Sequence, residues 1–454
     1  MVFNSVEFLL GFFPVFLLLY YLTPVKYRNC TLLVSSILFY AYGEPFYVFL
    51  LMASVLVNFW AGKSLDINRQ INQKKRRALY ILIVAADVLM LAFFKWASFL
   101  PWLPKDFFLP LGISFYTFQI LSYLTDVYRG DIGAEHSIVR LGTYISMFPQ
   151  LVAGPIVNYS EVSADLRQRS YLLENVDKGL KNFVFGLSMK VLLADRLAIL
   201  WNELQTVGVE SISTPLSWMG AFSYSMQIYF DFYGYSLMAV GLGQMLGFSL
   251  PENFDMPYTA KSVREFYRRW HVTLGRWFRN YVYIPLGGSK KGTLRTIFNL
   301  LAVWVLTSFW HGGSINFLIW GLSLWLFIVL ERLLDKKGYL GKSRVLSHIY
   351  VLFVIPLTWM CFAIPNLSDL KTYFGRMFGL AAGVNVNTGD FAKALSNYGV
   401  LLLAGIFMCT PIPKRLFERY KNSFLGMLIL AVLFWASVWH IMMEGNNPFM
   451  YFRF

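Results

Sequence analysis

Eight apolar runs, at 8–22, 79–94, 183–202, 297–310, 315–330, 345–364, 398–409 and 424–443, recur along this chain of 454 residues. Several approach the ~20 residues needed to cross a hydrocarbon core. Inside lipid each backbone amide must find its partner within the protein, which leaves helical bundles and closed barrels. Period-two alternation between turn residues, the mark of a barrel, does not dominate the runs, so they predict helices. With 57% hydrophobic and only 14% charged residues, the chain lies far from the composition of a soluble domain. The expected fold is all-α, a polytopic membrane protein of roughly ten to twelve spanning or re-entrant helices. One membrane domain covers residues 1–454, with N-terminal helices in 1–100, a core in 101–335 and C-terminal helices in 336–454.

A net charge of +15 sits mainly in short loops. Arg69, Lys74, Lys75, Arg76 and Arg77 form one cluster, and Lys414, Arg415, Arg419 and Lys421 another. The positive-inside rule puts both in the cytoplasm, and counting back over three spans leaves the N-terminus outside. Topology and lipid headgroups account for this surplus, and no soluble basic segment is present to bind nucleic acid. The first run is followed by Thr23, Pro24 and Lys26, so it reads as a membrane helix and not a cleaved leader. Cys30, Cys361 and Cys409 are too scattered for a disulfide framework or a metal site.

The segment 262–284 differs from its neighbours. Val263, Phe266, Tyr267, Trp270, Leu274, Trp277, Phe278 and Tyr281 step by three and four, with Arg264, Arg268, Arg269, Arg276 and Arg279 mainly between them. This pattern predicts one amphipathic interfacial helix, opened by a Ser262/Glu265 capping box and closed by Pro285, Gly287 and Gly288. His271 falls on its apolar side, pointing into protein. Elsewhere Pro104, Pro110 and Gly112 predict a broken entry to the next helix, and Gly154–Pro155 the end of another. Gly234, Gly241, Gly243 and Gly247 are spaced for close helix approach.

Ionisable groups within apolar segments are functional candidates by default: Asp87, Lys95, Lys190, Asp195, Arg196, Asp231, His271, His311 and His440. Lys190 with Asp195 and Arg196 reads as an ion-paired helix end, and Asp87 needs a partner from an adjacent helix. His311, in "LTSFWHGGSINFLIWG", has more local support. Thr307 and Ser308 precede it by one turn and can bond its ring or the backbone. Gly312 and Gly313 should open the helix, which at membrane depth is tolerated only against protein or a cavity. The chain has no H-E-x-x-H, Walker A or G-x-S-x-G pattern. What remains for a membrane histidine is acid–base work, either deprotonating a hydroxyl for acyl transfer or relaying protons in transport.

"PENFDMPYTAKSVREFYRRWHVTLGRWFRNYVYIPLGG", followed by "FWHGG", resembles the membrane-bound O-acyltransferases. "LPLGISFYTFQILSYLTDVYRG", "YISMFPQLVAGPIVNYSE" and "NNPFMYFRF" resemble the bacterial alginate O-acetyltransferase branch. The resemblance runs over nearly the whole chain. It implies two funnels meeting at a tunnel, catalytic histidines at His311 and His271, and a thioester donor, acetyl-CoA or an acyl carrier, arriving from the cytoplasm. Arg268, Arg269, Arg276 and Arg279 become candidates for holding donor phosphates. Thr307, Ser308, Asp231 and Asn316 become candidates for tunnel support. No covalently bound cofactor or metal is implied. The implied setting is a bacterial inner membrane, with an extracytoplasmic SGNH-hydrolase-like partner that places acetyl groups on a polysaccharide. Leu237, in "FDFYGYSLMAVG", departs from that branch and is similar to the D-alanyl transferases of teichoic acid. A proton-coupled transporter is the reading from another class, but the Gly-Gly break at 312 has no matching second half.

Overall fold

The computed structural model describes residues 1–97, 109–152, 154–169, 172–335, 343–380 and 389–444, with single positions 386 and 450. Pro104 and nearly all of "NNPFMYFRF" lie outside the described residues. The first half of the chain builds α1 Phe13–Leu22, α2 Arg28–Gly43, α3 Tyr47–Ile71, α4 Gln73–Trp96, α5 Ile113–Arg129, α6 Ile138–Ser146, α7 Phe148–Leu151, α8 Tyr159–Arg167, α9 Leu173–Ser188, α10 Asp195–Val207 and α11 Thr214–Met245. The second half builds α12 Val263–Arg269, α13 Val272–Phe278, α14 Thr293–His311, α15 Ile315–Asp335, α16 Arg344–Ala363, α17 Leu367–Met377, α18 Asp390–Met408, α19 Pro411–Tyr420 and α20 Phe424–Glu444. Among the described residues the one extended pairing is a bridge between Phe254 and Trp270.

Seven of the described helices, α3, α4, α14, α15, α16, α18 and α20, are long and apolar enough to cross a membrane. Their outward faces carry the side chains that lipid would cover, such as Ile81, Leu82 and Leu89 on α4 and Val400, Leu403 and Ile406 on α18. The protein is an all-α polytopic membrane protein. Other apolar runs become helices of mixed character. Residues 183–202 fall on α9, a π-helical turn at Met189–Ala194, and α10. The 139–157 run is interrupted at Met147, whose extended ψ of 122° separates α6 from α7.

Contacts divide the chain into two compact units that do not follow chain order. One comprises Met1–Val184, Tyr235–Glu252 and Glu444–Phe452, the other Phe185–Gly234, Asn253–Met443 and Arg453–Phe454. In the first unit Phe3, Phe8, Phe39 and Phe148 pack in tilted and edge-on pairs. Arg69, Lys74, Lys75 and Arg77 are exposed, whereas Arg76 turns inward. Its guanidinium bonds the carbonyl of Leu65 inside α3 (3.0 Å) and that of Val127 in the last turn of α5 (3.2 Å), where a helix-end acceptor gains a partner. Asp87 finds the partner it needs on α3, where Asn58 Nδ2 donates to its carboxylate at 3.2 Å. Gly179 and Gly241 meet backbone to backbone: a Cβ on Gly241 would stand 2.5 Å from the Gly179 carbonyl oxygen.

The segment 262–284 is not one helix. It is α12, α13 and a π-helical turn at Arg279–Tyr283, broken at Trp270–His271, where His271 takes the left-handed conformation (φ 46°, ψ 53°). Amphipathic spacing continues across the break, so the side-chain pattern alone could not reveal it. The cause is a second strand of chain at the break: Asp255 N–H bonds Arg269 O (2.9 Å) and Val272 N–H bonds Asn253 O (3.0 Å), replacing helical bonds. The N-terminal cap is as expected, with Glu265 N–H on Ser262 Oγ at 3.0 Å. Glu331 of α15 adds a second cap, accepting from the N–H groups of Val263 (2.5 Å) and Arg264 (3.0 Å).

Two outcomes test this packing. Gly241→Val should cost about 1–3 kcal/mol of stability, read as a lowered unfolding midpoint in detergent, because backbone and not a flexible side chain must give way. Glu135, in the loop between α5 and α6, is the second. Burial works to raise its pKa, but bonds from Arg140 (2.6 Å), Tyr159 and the Ser137 N–H (2.7 Å) outweigh it and hold the carboxyl at about 2. A depressed carboxylate stabilises the fold above its unfolded pKa and loses that contribution as pH falls through the folded value. Wild type should therefore lose on the order of 2–3 kcal/mol between about pH 4.5 and pH 2. Glu135→Gln should flatten this part of the stability–pH curve.

Candidate active site

α14 ends at His311 because Gly312 turns to extended backbone (φ 168°, ψ 174°), its N–H still bonded to Ser308 O at 3.2 Å. α15 starts four residues after His311, so the Gly-Gly pair does open the helix. Thr307 and Ser308 spend their hydroxyls on their own helix, donating to Val303 O (2.8 Å) and Trp304 O (2.9 Å). They shape the helix end and are not partners of the His311 ring. α15 crosses here at closest approach: a Cβ on Gly321 would lie 2.0 Å from Ser308 Oγ. Asn316 Nδ2 donates to Phe362 O at 2.9 Å and ties α15 to the end of α16. Together these contacts set an aromatic shell around His311, which is 4% exposed. Trp320 stands edge-on at 5.1 Å and 90°, Phe362 at 5.2 Å and 85°, and Trp310 at 4.8 Å.

His271 is the other buried histidine of this unit's centre, 3% exposed. It points into protein as its spacing implies, though it does so from a helix break. Phe232 of α11 meets its ring edge-on at 4.7 Å and 88°, and Trp310 lies 6.2 Å away. The Trp310 indole therefore touches the surroundings of both histidines. His271 lies in none of the seven spans, and burial pushes its pKa below the ordinary imidazole range, which favours the neutral ring. Its Nδ1 is 3.0 Å from Asn253 Oδ1.

Asp231, expected as tunnel support, acts one residue away from the site. It and Asp195 clamp the ammonium of Lys190, at 2.8 and 2.5 Å, with Lys190 1% exposed. Lys190 sits in the π-helical turn, and the clamp fixes α11 against it so that the next residue, Phe232, meets His271. Gly234 allows that approach, since a Cβ there would stand 2.6 Å from Gly186 O. Arg196 contacts His440 Nδ1 at 3.2 Å.

The break separates the four arginines of the donor-site expectation. Arg268 and Arg269 end α12, Arg276 lies on α13 and Arg279 opens the π-helical turn. Arg269 is committed to Glu265, at 2.7 and 3.1 Å, with Asp255 at 3.8 Å. Arg268 and Arg279 are exposed. Two residues of this centre escape sequence reasoning. Asn253 stands in a loop without periodicity, and Trp310 looks like one more aromatic beside a striking histidine; only the positions of the rings distinguish them.

A buried imidazole at a helix end, in an aromatic enclosure within a multi-pass bundle, suits acid–base chemistry on a bound substrate. The membrane-bound O-acyltransferase family profile matches residues 130–337. The "probable alginate O-acetylase AlgI" of Pseudomonas putida is 32% identical over 100% of both chains. The chain belongs to the membrane-bound O-acyltransferase family. The "peptidoglycan O-acetyltransferase" of Helicobacter pylori is 33% identical over 100% of this chain and 98% of its own. The "teichoic acid D-alanyltransferase" of Bacillus subtilis is 29% identical over 56% of this chain and 67% of its own. Both site histidines fall inside the matched family region, and the protein is an O-acyltransferase.

The clamp makes a prediction for this acyltransferase. Lys190→Met leaves two carboxylates facing each other in a buried site and should destabilise by about 3–5 kcal/mol. Adding Asp231→Asn should recover part of that loss, measured by unfolding midpoints of the single and double variants.

Proposed function

We propose that this protein takes an acetyl group from a cytoplasmic thioester and passes it across a bacterial inner membrane for O-acetylation of an extracellular or cell-wall polysaccharide, with His311 as general base. The observation that carries the reading is the setting of His311: an imidazole at an opened helix end, enclosed by Trp310, Trp320 and Phe362. Those rings leave His311 4% exposed, and an imidazole in its unprotonated form has a lone pair for a hydroxyl proton. In the reaction the hydroxyl oxygen attacks the thioester carbonyl while His311 takes its proton. The C–O bond forms, the C–S bond breaks, and the imidazolium returns the proton to the leaving thiolate.

The donor is acetyl-CoA or an acyl carrier thioester, entering from the cytoplasmic funnel of a central tunnel. Exposed Arg268 and Arg279, with Arg276, are the groups for its phosphates, whereas Arg269 is held by Glu265. The N-terminus lies outside, and an extracytoplasmic SGNH-hydrolase-like partner completes transfer to the glycan. Acetyl is favoured over D-alanyl because the O-acetylating relatives align along the full chain while the D-alanyl relative aligns along 56% of it. Leu237 is the residue that keeps D-alanyl transfer as the second reading.

Purified protein in liposomes, given acetyl-CoA, acetyl carrier or D-alanyl carrier with label in the acyl group, tests the proposal. Label should reach a hydroxyl acceptor from an acetyl donor. His311→Ala should cut the rate roughly 100- to 10,000-fold while the protein still folds. Full activity in that variant rules out the general base, and transport of label without acceptor modification rules out the reaction.

A further inference from the structure

The loop at residues 253–255 does more than hold the helix break. Asn253 Oδ1 lies 3.0 Å from His271 Nδ1, 3.3 Å from the Thr273 backbone N and 2.9 Å from Thr273 Oγ1. A backbone N–H can only donate, so the atom facing it is the amide oxygen and not the amide nitrogen. That oxygen can only accept, so His271 Nδ1 must carry a hydrogen. In a neutral ring the lone pair then belongs to Nε2. We infer that Asn253 is a positioning residue for the transfer reaction, fixing His271 as the Nδ1–H tautomer so that Nε2 is its basic nitrogen.

This rests on the reading that His271 serves acyl transfer. The geometry extends beyond one bond. The same residue gives its main-chain carbonyl to Val272 N–H, at 3.0 Å, so Asn253 holds the backbone on one side of His271 and the ring on the other. A left-handed conformation at a residue other than glycine costs about 1–3 kcal/mol and persists only when surroundings impose it. Here the two Asn253 contacts, the Phe254–Trp270 bridge and the Asp255–Arg269 bond impose it. An amide is also the acceptor suited to a neutral ring, because a carboxylate in its place would favour the imidazolium.

Among the charged groups on the elements that flank His271, Arg268 and Arg279 are exposed and Arg276 is half-buried. Asp231 is bound to Lys190, Asp255 pairs with Arg269, and Glu252 is exposed. Phe232 and Trp310 present rings, with Tyr229 edge-on and Tyr233 tilted against Phe254. His311 lies beyond Trp310.

Asn253→Asp separates positioning from stapling. Aspartate keeps an acceptor oxygen for all three donors, so a mere staple is preserved, but its charge raises the His271 pKa. The expected result is a folded protein, with an unfolding midpoint lowered by the buried charge, in which the acidic limb of the acyl-transfer pH profile moves up by roughly one unit or more. Asn253→Ala should lower kcat about 10- to 100-fold with a smaller change in KM. A wild-type pH profile in Asn253→Asp overturns the proposal.

Should Asn253→Asp fail to fold, nitrogen-15 spectra of histidine-labelled wild type decide directly. The chain has 5 histidines, so His271 is assigned by the signal lost in His271→Gln. A protonated Nδ1 with unprotonated Nε2 supports the proposal, and the reverse tautomer overturns it. His271→Ala is the separate control. Full transfer in that variant removes the role of His271 itself, whereas lost transfer with an unshifted Asn253→Asp profile removes only the role of Asn253.

Discussion

In a bilayer the backbone has nothing but protein to bond with, and the chain can leave helical geometry only where other protein supplies the missing partners. His311 stands at such a place at the end of a span, and His271, outside the spans, stands at a buried break that obeys the same rule. His311 is the last residue of α14, where the helix opens into Gly312 and is sealed by α15 and the end of α16. His271 lies where α12 gives way to α13, and the loop at 253–255 replaces the lost helical bonds. Breaking a helix exposes polar groups and frees a side chain from the regular surface, so the irregularity and the chemistry share one origin.

The supporting contacts form a sequence of dependence. The clamp of Lys190 by Asp195 and Asp231 fixes α11 against the π-helical turn, and α11 then brings Phe232 to the edge of His271. Ser308 beneath Gly321 sets the crossing of α14 and α15, and Asn316 fastens α15 to α16. None of these groups needs to meet substrate. Their effect is to remove freedom from two imidazoles that a reaction would need held in place.

Much of this was legible in the amino-acid order because hydrophobic runs and helix breakers act locally. The all-α membrane fold, the end of α14 at His311, the Ser262/Glu265 cap and the inward direction of His271 all follow from such local rules. The break at Trp270–His271 was not legible, since residues on both sides keep helical spacing and the cause arrives from Asn253 and Asp255. Asp231 was placed at a tunnel, yet its charge is answered by Lys190, a residue 41 positions earlier in the chain. The arginines of 262–284 looked equivalent in a periodic pattern; only the positions of Glu265 and Asp255 show that Arg269 is already occupied. Aromatic side chains posed the hardest case, because 42 Phe, 27 Tyr and 14 Trp leave no compositional contrast by which Trp310 or Trp320 would stand out.

Trp310 carries a consequence for how this centre responds to change. Its indole lies 4.8 Å from the ring of His311 and 6.2 Å from that of His271. Residues that share a packed neighbour do not contribute independently, and their combined substitutions depart from the sum of the single ones. Substitutions at positions 271 and 311, 40 residues apart in sequence, are thus expected to depart from additivity, with the volume of a single indole as the quantity they have in common.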